Sequence, residues 1–135
     1  MKATVKTLAK ESRSVPCWAQ IVIAAHLAAA SAAGVYANEN GEQIPVAVSH
    51  AARMQSRRYF CWQEDGANDY AADNRHAERN NIGYTDLFTE IEFDPAVEAL
   101  KQAFEDARIV WEYTGVSYEP DTRLFHHTWE WEVRA

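Results

Sequence analysis

The segment at residues 124–133 constrains the fold most. Phe125, His127, Trp129, Trp131 and Val133 alternate there with Leu124, His126, Thr128, Glu130 and Glu132. Successive side chains of a strand point to opposite faces, so the period of two reads as a strand. The first set belongs on a core or an interface, and the second belongs in water. That is the pattern of an antiparallel sheet with one covered face.

Helices are needed to cover the aromatic face. Trp18, Ile21, Val22, Ala25, Ala29 and Ala32 follow helical spacing within residues 14–33. Ser14 suits the cap, Pro16 the first turn, and Gly34 the left-handed exit. The many Ala residues permit close approach of the sheet or of a second copy of the helix. Asp94-Pro95 opens another helix, with Asp as cap, Pro at the first position and Glu98 in the first turns. Val97, Leu100, Ala103, Phe104 and Ala107 form its apolar stripe. A third helix is expected over residues 46–63. Its apolar face would carry Val48, Ala51, Ala52, Tyr59 and Trp62, and its other face Arg53, Arg57 and Arg58. The β-branched and aromatic run at 59–62 suits a strand as the alternative.

The remaining pattern is strands and turns. Residues 2–8 alternate and place Lys2 and Lys6 on one side, as an edge strand does. Asn40-Gly41 predicts a type I′ hairpin turn between strands at 35–39 and 42–46. Residues 64–85 are polar and read as a long loop, of a length that is often functional or mobile, with a surface loop without a task as the slightly favoured reading. Residues 86–93 read as a strand with Leu87, Thr89, Ile91 and Phe93 on one side. Residues 109–114 pair with 124–133 through a turn at 119–122, with Pro120 second in it. The expected fold is α+β: a single compact domain over residues 1–135. It is an antiparallel sheet of four to six strands with two or three helices packed on one face.

The 135 residues suit one domain, and a hydrophobic content of 47 % with five Trp argues against disorder. Cys17 and Cys61 lie in apolar runs and read as reduced thiols of a cytoplasmic protein. Residues 15–35 carry no charge and follow a lysine-rich start, as a signal peptide would. Gln20 and His26 interrupt them, and Ala contributes little to membrane insertion. They read as a helix of a soluble protein, with no membrane partner.

Motifs for chemistry are sparse. His126-His127-Thr128 matches the His-x-Thr pattern of two-histidine phosphoesterases, but no second such motif exists to face it. A small hydrolase using His126 or His127 is therefore the least favoured of three readings. No metal-binding spacing occurs, and the five dispersed glycines form neither a phosphate loop nor a dinucleotide fingerprint. No cofactor is expected.

Charge offers the remaining lead. Residues 1–58 carry seven Lys/Arg and three acids, whereas residues 59–135 carry six and seventeen, within a total of −7. Direct nucleic-acid binding is disfavoured by that total, despite the group Arg53, Arg57 and Arg58. The acidic portion favours a protein partner with a basic surface, and raises mimicry of a nucleic acid. The candidate contact residues are Glu90, Glu92, Glu105, Asp106, Asp69 and Asp73. The favoured expectation is a non-enzymatic small acidic binding protein that sequesters or blocks a macromolecular partner. Small inhibitors of that character include phage-encoded inhibitors of host defence or DNA-handling machinery. The alternative is a small-molecule, nucleotide-like ligand in an aromatic and Arg pocket of Arg58, His127, Trp129 and Trp131. A homodimer is compatible with each reading, through the Ala-rich helix or the edge strand.

Overall fold

A computed structural model describes residues 15–50, 56–65 and 80–134. The elements run α1 (Cys17–Ala33), β1 (Tyr36–Glu39), β2 (Glu42–Pro45), β3 (Ala47–Ser49), β4 (Arg58–Asp65), β5 (Asn80–Thr89), α2 (Ala96–Asp106), β6 (Val110–Glu119) and β7 (Leu124–Arg134). β1 and β2 form a two-stranded ribbon, and the other strands form one sheet in the order β3-β4-β5-β7-β6. The molecule is α+β, as the alternation and helical stripes imply.

Local chemistry explains the well-read elements. α1 ends where Gly34 takes φ 73, and Val35 N–H bonds back to the Ala30 carbonyl. Pro16 sits just before the first turn with extended backbone, so it precedes the helix instead of opening it. The expected cap, Ser14, lies outside the described residues, as does the strand expected at 2–8. Asn40 and Gly41 have φ 56 and 81, the paired positive values that a type I′ turn requires. In α2 the Asp94 carboxylate accepts the Ala96 N–H at 2.8 Å, the cap that the sequence assigns to it.

Three expectations need correction. Residues 46–63 are not a helix: β3 and β4 stand there and pair in parallel, so the sheet is mixed and not wholly antiparallel. The reason is burial on both faces. Tyr59, Phe60, Cys61 and Trp62 are all buried, and a continuous apolar run of that kind fits an interior strand. Arg57 and Arg58 therefore do not share a helix face. Ala51, Ala52 and Arg53 lie outside the described residues. The loop expected at 64–85 is shorter at both ends. Glu64 and Asp65 finish β4, and residues 80–85 begin β5, while residues 66–79 lie outside the described ones. β5 ends at Thr89, not at Phe93, because the Thr89 hydroxyl turns to Asp94 and to the Ile91 N–H.

Both helices lie on one face of the sheet. Phe60, Trp62, Thr85, Leu87, Trp129 and Trp131 look towards them, and Val22, Ala25 and His26 of α1 meet Leu100 and Phe104 of α2 above. The second face is not fully wet. Tyr59, Phe88 and the His126 ring stack across β4, β5 and β7, at 5.1 and 4.3 Å between successive centroids. Leu124, expected in water, is buried there too.

Candidate functional site

One ion pair ties the helices to the sheet beside a cleft of the described residues. Arg58 on β4 stands opposite Thr89 on β5. Its guanidinium donates to both Asp94 oxygens, at 2.8 and 2.6 Å. It also donates to the Ala33 and Gly34 carbonyls at the end of α1, at 3.1 and 3.0 Å. Asp94 accepts from the Thr89 hydroxyl at 2.6 Å as well. The cation therefore sits at the negative end of one helix dipole and the anion at the positive end of the next. Burial alone would raise the Asp94 pKa. The bonds from Arg58, Thr89 and Ala96, with the Arg58 charge, hold it below its ordinary value.

This clamp fixes the segment before α2 to β4, β5 and the end of α1. A cleft of about 430 Å³ opens between that segment and the β6–β7 hairpin. Phe93, Pro95, Val97, Val116 and Phe125 form its apolar walls, and Glu92, Glu98 and Lys101 its charged rim. His127 and Tyr113 lie at its base, sharing a hydrogen bond of 2.8 Å between the hydroxyl and Nδ1. Burial lowers the His127 pKa against the opposing Asp94 charge, and burial raises that of Tyr113, with Glu98 adding to it. Imidazole and phenol are both neutral near pH 7. The Lys101 ammonium lies 4.5 Å from the Tyr113 ring centroid and 3.3 Å from Glu98. The cleft thus already satisfies one ammonium by a ring face and a carboxylate.

Phe93 is the outlying residue. It is 89 % exposed and has φ 59, a left-handed value that costs a bulky side chain on the order of 1 kcal/mol. Val116 and Tyr118 beside it are 54 % and 51 % exposed. A large ring held in water by strained backbone does not serve the core.

The residues singled out from sequence fall in several places. Glu92 stands on the cleft rim. Glu90 pairs with Arg57 at 2.9 Å on the surface. Glu105 accepts from the Trp111 indole and Asp106 from Gln102, both at the end of α2 about 15 Å along its axis from its first residue, Ala96. The four acids therefore form two separate pairs. Asp69 and Asp73 lie outside the described residues. Of the pocket expected from Arg58, His127, Trp129 and Trp131, only His127 lines the cleft. Arg58 is engaged in the clamp, and both Trp side chains are core.

His126 and Thr128 share a face and a carboxylate. Asp86 on β5 stands 2.8 Å from His126 Nε2 and accepts from the Thr128 hydroxyl at 3.4 Å. His126 Nδ1 faces Glu119 at 3.6 Å. Both ring nitrogens are turned to carboxylates, so neither is directed at Ser117, the cross-strand neighbour. His26 belongs to the core instead. Its Nδ1–H donates to the Val22 carbonyl, and its Nε2 accepts from Thr85, which accepts from the Trp131 indole. Among the described residues no three His, Cys, Asp or Glu side chains are arranged to hold a metal. None of the described helices is long and apolar enough to cross a membrane.

A shallower depression of about 690 Å³ runs outside α1 and α2. It is lined by Ala24, Ala28, Ala32 and Ala99, with Gln102 and Asp106 at its margin. Sequence reasoning missed Phe93, Glu98, Lys101 and Tyr113 as one group. The available signal was Phe93 directly before the Asp94-Pro95 cap, where a strand cannot continue. No family model matches the chain, and neither does a curated protein or a solved structure.

Proposed function

We propose that this is a non-enzymatic binding protein that blocks or sequesters a protein partner with a basic surface. The cleft between the start of α2 and the β6–β7 hairpin is its gripping surface. The observation that carries this reading is Phe93, 89 % exposed on left-handed backbone at the rim. Exposed aromatic anchors beside a pocket are where binding energy concentrates in protein interfaces. The rim acids Glu92 and Glu98 and the total of −7 favour a cationic partner and speed its approach. A cytoplasmic setting fits Cys17 and Cys61, which are not joined.

The test is a tagged pull-down from bacterial lysate at low and high salt, run beside Phe93→Ser and beside the double variant Glu92→Gln, Glu98→Gln. A stoichiometric protein should be retained at low salt, leave as salt rises, and be lost with Phe93→Ser. A partner held equally by all three proteins at both salts would place the contact elsewhere and defeat the reading.

A further inference from the structure

Two consecutive arginines hold the walls of the cleft. Arg58 fixes the first wall, the segment before α2, through both oxygens of Asp94. Arg57 precedes it and joins that wall to the second one. Its Nε donates to Glu90 at 2.9 Å, and its Nη2 donates to the Thr122 and Arg123 carbonyls at 3.0 and 3.3 Å. Glu90 lies in the segment that leads from β5 to Phe93, and residues 122–123 lie in the turn that leads from β6 into β7. Glu92 and Phe93 on one side and Phe125 on the other line the cleft. The turn is itself braced. The Thr122 hydroxyl donates to the Glu119 carboxylate at 2.9 Å, and the Arg123 N–H donates to the Glu119 carbonyl at 2.7 Å. A pull on the two turn carbonyls is therefore passed to the ends of β6 and β7 together.

We infer that Arg57 is a positioning residue for the cleft: it sets how far the β6–β7 hairpin stands from the segment before α2. Its consequence for binding rests on the cleft reading above. A guanidinium suits the task, because its planar fork reaches a carboxylate and two carbonyls at once, whereas a lysine ammonium is one point charge on a flexible stem. The two arginines differ in their surroundings. Arg57 and Glu90 are 48 % and 56 % exposed, whereas the Asp94 carboxylate under Arg58 is fully buried. Salt screens exposed charges far more than buried ones. Rising salt should therefore loosen the hairpin wall and leave the α2 wall in place. Exposed pairs add little to stability, so Arg57→Ala should lower the melting temperature by no more than about 5 °C. Its effect belongs to the shape of the cleft.

The experiment is a spin-label distance across the cleft, read without any partner. The labels go on Asp121→Cys in the turn and Gln102→Cys on α2, both exposed positions, in a Cys17→Ser background with Cys61 buried. At low salt the pair should give one narrow distance. Arg57→Ala should lengthen and broaden it, and high salt should do the same to the parent while adding nothing in Arg57→Ala. Glu90→Ala cuts the tie from the other side and should act alike, which keeps the test alive if an Arg57 variant fails to fold. Arg57→Lys should not restore the narrow distance, and full restoration would assign the effect to charge and overturn the fork. A distance unchanged in Arg57→Ala and Glu90→Ala at both salts overturns the inference. The lysate pull-down separates the two readings. Walls that move while Arg57→Ala and Phe93→Ser both keep the partner leave Arg57 its positioning role and defeat gripping by the cleft. Walls that stay while Phe93→Ser alone loses the partner keep gripping and overturn the role of Arg57.

Discussion

The Asp94 side chain joins four elements of this molecule. Its carboxylate holds Arg58 of β4, Thr89 of β5 and the first turn of α2, and through Arg58 it reaches the end of α1. Asp94 is fully buried, whereas Arg58 is 22 % exposed and keeps the Ala33 and Gly34 carbonyls, so Asp94→Ala should cost about 3 kcal/mol in urea unfolding, the low end for a broken buried pair. Asp94→Asn, which keeps the shape, should cost less. The folded-state pKa lies below the unfolded one, so this stabilisation is complete above the ordinary carboxylate range. It is lost as pH falls through the lower folded value. His26 acts at a different pH. Burial lowers its pKa to about 4 against a small opposing effect of the Val22 carbonyl. Between about 6.5 and 4 the unfolded chain gains a proton that the folded one refuses. Stability should then fall by roughly 3 kcal/mol over that window as pH drops. His26→Phe should flatten this slope, at a fixed cost of about 1–3 kcal/mol for the Thr85 hydroxyl left without its acceptor. An unchanged slope in that variant would assign the pH dependence to another group.

Among the elements, β5 is the most exacting. It is the central strand, paired with β4 and β7 along its length. Gly83 lies where the Trp131 ring crosses it, and an added Cβ would overlap that ring and the Gln63 carbonyl oxygen. Gly83→Ala should therefore destabilise by about 1–3 kcal/mol, through forced movement of Trp131 and strand separation rather than through φ. Thermal unfolding followed by Trp fluorescence reads both changes, and an unshifted melting temperature would show that the strands give way freely. The same glycine explains why the start of β5 was hidden in the sequence. Asn80, Asn81 and Gly83 resemble a loop, and only the pairing of Asn80 with Arg134, of Asn81 with Val133 and of Gly83 with Glu64 and Trp131 makes them strand. β4 misled differently, because Tyr59 to Trp62 carries no alternation when both faces are covered.

For the molecule as a whole, stability and binding should separate at Phe93. Phe93→Gly removes a mostly solvated ring and relieves a positive φ, so it should leave the melting temperature equal or higher by a few degrees. If the cleft grips a protein as proposed, the same change should abolish its retention. A fall in stability instead would show that the ring supports the fold. Net charge should act on rate more than on strength, with association slowing as ionic strength rises.

The sequence by itself determined the elements whose signals are local. The alternation of β7 follows from the pleat, the Asn40-Gly41 turn from two residues tolerant of positive φ, and the ends of α1 and α2 from Gly34 and Asp94. It also placed Trp129 and Trp131 on a covered face, which is where they lie. Tertiary structure decided the rest. Parallel pairing of β3 with β4, the Arg58–Asp94 clamp and the meeting of Phe93, Tyr113, Lys101 and Phe125 at one cleft join residues far apart in the chain. No local pattern encodes such contacts, because each exists only after the sheet has fixed which strands are neighbours and which side chains share a face.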